Sequence, residues 1–82
     1  MTRLVDIVNL LNRLNNEELD EIGIADLSIN EFSDADNEIM LTVEDLQRHT
    51  YAYKESFGSL VEAANALEYL WVGARLANGK EV

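Results

Sequence analysis

The sequence contains no cysteine, no proline and a single histidine, His49. Without cysteine the chain forms neither a disulfide nor a thiolate metal site, and without proline it lacks rigid proline-rich ligand segments. A chain of 82 residues buries only about 60 to 65% of its unfolded surface. With no covalent staple, such a small domain depends on helix packing or on self-association for its stability.

Long uncharged apolar runs are also missing. The most apolar stretch, residues 60–76, carries Glu62, Glu68 and Arg75, which favours a core or interface helix over a membrane span. The 48% of apolar and 27% of charged residues are typical of a folded protein, so we expect one domain over residues 1–82. The lack of cysteine and of a leader-like N-terminus favours the cytoplasm.

Positive charge is scarce, and its scarcity is local. Six bases stand against sixteen acids, for a net charge of −10. No lysine or arginine lies between Arg13 and Arg48, so that interval carries −11, and the remaining five acids and six bases give +1. The eleven acids of this interval, which we call the acidic window, are Glu17, Glu18, Asp20, Glu21, Asp26, Glu31, Asp34, Asp36, Glu38, Glu44 and Asp45.

A field of this size repels nucleic acids and anionic membranes and attracts basic protein surfaces. The sequence therefore predicts a basic partner, possible self-association, and no direct contact with nucleic acid or membrane. The alternative is a solvated face that only keeps a small protein soluble.

Local patterning predicts an α+β domain that is predominantly helical. Apolar residues at Leu4, Ile7, Leu11 and Leu14 indicate an N-terminal helix that starts after Thr2 and ends at residues 15–16. An acidic turn follows over residues 17–26. Alternating apolar residues in segments 24–29 and 39–43 then favour a β-hairpin.

The C-terminal half is predicted to be helical from Thr42 onward. Apolar or small residues recur in steps of three and four from Val43 to Ala74, and acids follow Thr42 as in a capped first turn. Gly58 and Ser59 interrupt this region with a stop and a new cap, so it is either one kinked helix or two consecutive helices. We favour two, ending at residues 78–79.

Catalytic, cofactor and metal sites are not predicted. The acids from Asp34 onward, with Asp45 at the twelfth position, approach a calcium loop, but Ile39 occupies the sixth position, where glycine is needed. His49 lies one helical turn after Asp45, a spacing that is more typical of surface electrostatics than of catalysis. The four glycines are isolated and form no phosphate loop. We therefore expect no enzyme activity.

The function that we expect is that of an acidic inhibitor or decoy. Its carboxylates would imitate nucleic-acid phosphates and occupy the basic surface of a nucleic-acid-binding protein, as virus-encoded inhibitors of nucleases or of CRISPR effectors do. The alternative is a helical oligomerisation or adaptor subunit that acts through its apolar C-terminal helix. We also predict that the chain forms a homodimer through this helix. The predicted self-association residues are Leu60, Ala63, Leu67, Leu70, Trp71 and Ala74.

Overall fold

The computed structural model describes residues 4–31 and 37–81. In chain order they form helix α1 (Leu4–Arg13), a π-helical segment (Leu14–Leu19), strands β1 (Gly23–Glu31), β2 (Asn37–Asp45) and β3 (Thr50–Phe57), and helix α2 (Leu60–Ala77). The strands form an antiparallel sheet in the order β1-β2-β3. The α+β class is confirmed, but the sheet has three strands instead of the two predicted, so the description as predominantly helical is imprecise.

The helices cover one face of the sheet and bury the core there. Ile7, Leu14 and Leu67 on the helical side meet Ala25 and Leu41 on the sheet, and all five are at most 2% exposed. The Cα positions extend over 43 × 32 × 15 Å, and the shortest dimension corresponds to two layers. None of the described elements covers the opposite face, which we call the open face.

The N-terminal helix is confirmed, but its predicted end at residues 15–16 is wrong. The chain widens into π-helical turns, and the N–H of Asp20 bonds to the C=O of Asn15 at 2.8 Å. Asp20 then ends the π-helical segment with φ 47° and ψ −118°, a conformation outside the left-handed helical region that is strained for any residue but glycine. The predicted cap, Thr2, lies outside the described residues.

The predicted hairpin is confirmed as β1 and β2, which pair in continuous register from Gly23 opposite Asp45 to Glu31 opposite Asn37. The helix predicted from Thr42 is wrong, because β2 continues through Asp45 and β3 follows. The Asp45 carboxylate accepts hydrogen bonds from the N–H groups of Gln47 and Arg48, at 3.0 and 3.1 Å. This side-chain turn replaces the predicted helix start.

The turn also removes the helical spacing that placed His49 beside Asp45. Residues 46–49 connect two strands, and His49 closes the connection with a φ of 55°. The prediction that His49 lies one helical turn after Asp45 is therefore wrong.

The second predicted C-terminal helix is confirmed as α2. The Ser59 hydroxyl accepts a hydrogen bond from the N–H of Glu62 at 3.3 Å, as an N-cap does. The helix ends at Asn78, and Gly79 follows with a φ of 74°, which glycine adopts without strain. No helix in residues 4–31 and 37–81 is long and apolar enough to cross a bilayer.

Candidate functional site

Two acids of the acidic window share the open face of the sheet. In β1 and β2 the side chains at even positions face away from the helices, because Ala25 and Leu41 face the core. Asp26 therefore lies on the open face opposite Thr42, and Glu44 lies there opposite Ile24. The two carboxylates stand on adjacent strands of one uncovered surface.

The third strand adds an aromatic ring and a cation to this surface. Tyr51 pairs with Glu44 across β2 and β3 and is 55% exposed. Lys54 pairs with Thr42, and its ammonium nitrogen lies 5.3 Å from the centre of the Tyr51 ring. This cation–π contact holds the one base of the described strands against the ring.

More acids gather where the chain enters β1. Asp20 and Glu21 are exposed in the turn before this strand, and Gly23 pairs with Asp45 at the start of the ladder. Asp45 is already engaged by the turn amides, and it also lies 3.9 Å from the Arg48 guanidinium. Asp20 and Glu21 thus extend the acidic surface at this end of the sheet.

Glu18 is not part of this surface. Its residue is 4% exposed, and its carboxylate accepts hydrogen bonds from Asn78 Nδ2 at 2.9 Å, Lys80 Nζ at 3.0 Å and Arg75 Nη1 at 3.3 Å. The Asn78 bond, helped by the Lys80 and Arg75 charges, lowers the pKa of Glu18 although burial opposes the shift. Glu18 thus connects the π-helical segment to the C-terminal end of α2 by hydrogen bonds. Because it is buried there, its prediction as a partner-binding residue is corrected.

The helical layer holds three of the six bases. Arg13 and Arg75 each lie 5.0 Å from the centre of the Trp71 ring, and Lys80 joins the cluster at Glu18. Arg13 also lies 3.7 Å from Glu17 in an exposed pair. These three bases are engaged within the helical layer, so among the described residues only Lys54 and Arg48 bring positive charge to the sheet and its turn.

The last predicted acids belong to the hairpin end. The backbones of Glu31 and Glu38 lie in β1 and β2, next to the connection between the strands. Asp34 and Asp36 lie outside the described residues, but the rest of the calcium-loop comparison, residues 37–45, forms strand β2 and not a loop. Within residues 4–31 and 37–81, no group of three histidine, aspartate or glutamate side chains has the arrangement of a metal site.

The six residues predicted for self-association form the inner face of α2. Ala63 and Leu67 are 0% exposed, and the other four, Leu60, Leu70, Trp71 and Ala74, pack against the core. The core of the folded domain therefore already covers most of this face. The homodimer stays a prediction, but these residues stabilise the monomer.

The sequence reasoning missed the outer face of α2. Val61, Tyr69 and Leu76 are 53, 79 and 61% exposed, and they recur at spacings that put them roughly opposite Leu67. Of these three residues, Tyr69 lines a shallow groove of about 410 Å³ together with Asn65, Glu68 and Val72. Helical periodicity selected the stripe that faces inward, although the helix is apolar on more than one side.

No protein-family profile matches the chain, and searches of curated proteins and of solved structures find no similar protein.

Proposed function

We propose that this chain is a non-enzymatic acidic binding protein that occupies the basic surface of a nucleic-acid-binding protein. It acts there as an inhibitor or decoy, in the manner of virus-encoded inhibitors of nucleases or of CRISPR effectors. One observation supports this proposal above the others. The exposed acids of the sheet lie apart from Arg13, Arg75 and Lys80, which are engaged in the helical layer.

The open face offers the contact geometry that such a decoy requires. Asp26 and Glu44 lie on neighbouring strands, so their spacing is fixed by the ladder and not by a flexible loop. Carboxylates held on a rigid scaffold lose little conformational freedom when arginines or lysines pair with them. The open face therefore presents two carboxylates at a fixed spacing to a basic partner.

The surface also contains apolar area beside its charges. Ile24 is 49% and Tyr51 is 55% exposed, and both flank Glu44 on the sheet. Aromatic residues are enriched among the few that supply most of the affinity at protein interfaces, whereas surface charges mainly set association rate and specificity. Binding at this face thus combines an acidic field with two anchors. We place this activity in the cytoplasm.

Capture from a cell extract at low salt, followed by elution with rising salt, tests the proposal. We expect recovery of basic nucleic-acid-binding proteins that salt releases and that duplex DNA or RNA displaces. Recovery of partners that resist high salt and ignore added nucleic acid would contradict the decoy function.

Two double variants of equal net charge locate the contact. The sheet variant replaces two acids of the open face, Asp26→Lys and Glu44→Lys. The helix variant replaces two exposed acids of α2, Glu62→Lys and Glu68→Lys. Each variant has two reversals, which raise the net charge from −10 to −6. We expect the sheet variant to lose capture and the helix variant to retain most of it, with circular dichroism confirming that both are folded.

A second candidate function is an adaptor that binds through the outer face of α2. The exposure of Val61, Tyr69 and Leu76 favours it, whereas the inner face first predicted for this role is buried. An apolar contact of this kind resists salt. Loss of a salt-resistant complex on Tyr69→Ala, with no effect of the Asp26→Lys and Glu44→Lys pair, would identify this function instead.

A further inference from the structure

The sheet has two edge strands, and the register shows which backbone groups each edge presents. In β1 the even-numbered residues exchange hydrogen bonds with β2, so the N–H and C=O groups of odd-numbered residues point outward. Ala25 demonstrates this direction, because its N–H and C=O both bond to the Asn15 side chain, at 2.7 and 2.9 Å. Leu27, Ile29 and Glu31 follow with the same outward orientation.

Asn15 acts as a one-residue substitute for a neighbouring strand. Its carboxamide donates to the Ala25 carbonyl and accepts from the Ala25 N–H, as a paired residue in a ladder does. Among the described elements, only β2 and the π-helical segment contact β1 extensively, and the latter does so at the beginning of the strand. Beyond Ala25, no described residue is paired with this edge.

The other edge carries the features that usually prevent strand addition. The register between β2 and β3 shifts at Val43 and Glu44, which marks an irregularity or bulge in the ladder. The outward backbone groups of β3 include those of Lys54, whose charge disfavours the approach of another strand. In contrast, β1 runs nine residues in unbroken register and contains no lysine or arginine.

We propose that residues 27–31 of β1 accept an extended basic segment of the partner as an additional antiparallel strand. This inference rests on the proposed function and specifies the form of its partner. The added strand bonds to the outward N–H and C=O groups of Leu27 and Ile29, beginning where the Asn15 contact ends. Its alternate side chains then lie beside Asp26 on the open face.

Charge selects a basic segment over a second copy of this chain. The strand and its hairpin belong to the acidic window, which contains eleven acids and no base. Pairing β1 with itself would join two such windows, each in a chain of net charge −10, and like charges on adjacent strands oppose pairing. Lysines or arginines at every second position of the added strand would instead face the acids of the open face.

A peptide of seven alternating lysines and valines is a direct probe. In antiparallel pairing, the peptide residues that bond to Leu27 and Ile29 place their side chains on the helical side of the sheet. Those residues are the valines, since the lysines then lie beside Asp26. Methylation of the valine amide nitrogens should weaken binding at least tenfold, whereas methylation of the lysine amides should change it less than threefold. A peptide of alternating glutamates and valines should not bind.

The site of binding is read from amide hydrogen exchange and NMR shifts. We expect the amides of Leu27 and Ile29 to become protected, while those of Lys54 and Ser56 on the other edge do not. The proposal is overturned if methylation of the lysine amides weakens peptide binding as much as, or more than, methylation of the valine amides. It is also overturned if the amides of β3 become protected. A dimer that protects Leu27 and Ile29 without any peptide would overturn it as well.

The proposed function and the strand addition fail separately. If salt-sensitive capture of basic proteins persists while the lysine–valine peptide does not bind, the added strand is rejected and the decoy function stands. If both methylated peptides bind equally well and change the NMR shifts of Tyr51 on the open face, the added strand is likewise rejected and the decoy function stands. If the peptide pairs with β1 but no basic nucleic-acid-binding protein is captured, the decoy function is rejected.

Discussion

Replacing Leu67 by alanine tests whether the inner face of α2 is the core of the monomer. Leu67 is 0% exposed and belongs to the cluster formed with Ile7, Leu14 and Leu41. Buried Leu→Ala substitutions cost about 2.7 to 5 kcal/mol, since they remove apolar contacts and leave a cavity. A domain of 82 residues has a free energy of unfolding of about 4 to 12 kcal/mol. The variant should therefore lose a large fraction of its stability.

The matched control is Leu76→Ala, the same change on the same helix at a side chain that is 61% exposed. We expect it to change the free energy of unfolding by less than about 0.5 kcal/mol. For Leu67→Ala the melting temperature should fall by more than about 10 °C. Urea and thermal unfolding followed by far-UV circular dichroism measure both variants.

A concentration series separates this account from an interface role of the same residue. If the inner face of α2 stabilises the monomer, the loss in Leu67→Ala is the same at low and high protein concentration. If Leu67 instead sustained a dimer, the substitution would halve the mass in solution and alter stability only where the wild type associates. That result would refute the assignment of the core.

Three further substitutions test individual contacts by urea unfolding. Because the fold lowers the pKa of Glu18, its carboxylate stabilises the native state above its unfolded pKa, and this contribution is lost as the pH falls through the folded value. The stability advantage of the wild type over Glu18→Gln should therefore shrink on acidification, and a constant difference would contradict the ionic role. Asn15→Ala leaves the N–H and C=O of Ala25 without their partner and should cost about 1 to 3 kcal/mol, with increased amide exchange at Ala25. Ser59→Ala removes the cap at the Glu62 N–H and should cost about 0.5 to 2 kcal/mol, and no loss would show that the cap is dispensable.

The third strand escaped sequence analysis because its pattern fits two structures. Tyr53 and Phe57 are four residues apart, a spacing that puts them on one face of a helix and also on one face of a strand. Both face the core from β3. The acids after the predicted cap at Thr42 are equally ambiguous, because Asp45 suits the first turn of a helix and also accepts amides two and three residues later in a turn. Only tertiary pairing decides between them.

Elements whose signals agree with one another were predictable. For α2 these signals are the capping serine at Ser59, the apolar stripe and the glycine at position 79. The hairpin also followed from its two alternating segments. The role of individual acids was not predictable, because the buried Glu18 carboxylate acquires its hydrogen-bond partners from residues 57 to 62 positions away. No local pattern distinguishes it from its exposed neighbour Glu17.

The dependence of partner affinity on salt, measured for the two double variants of equal net charge, tests the central claim most directly. The account predicts that the wild type and the Glu62→Lys, Glu68→Lys variant lose affinity steeply and in parallel as salt rises. The Asp26→Lys, Glu44→Lys variant should bind at least tenfold more weakly at low salt and respond less to added salt. Equal weakening of both variants would mean that only the net charge matters, and it would contradict a binding surface on the open face of the sheet.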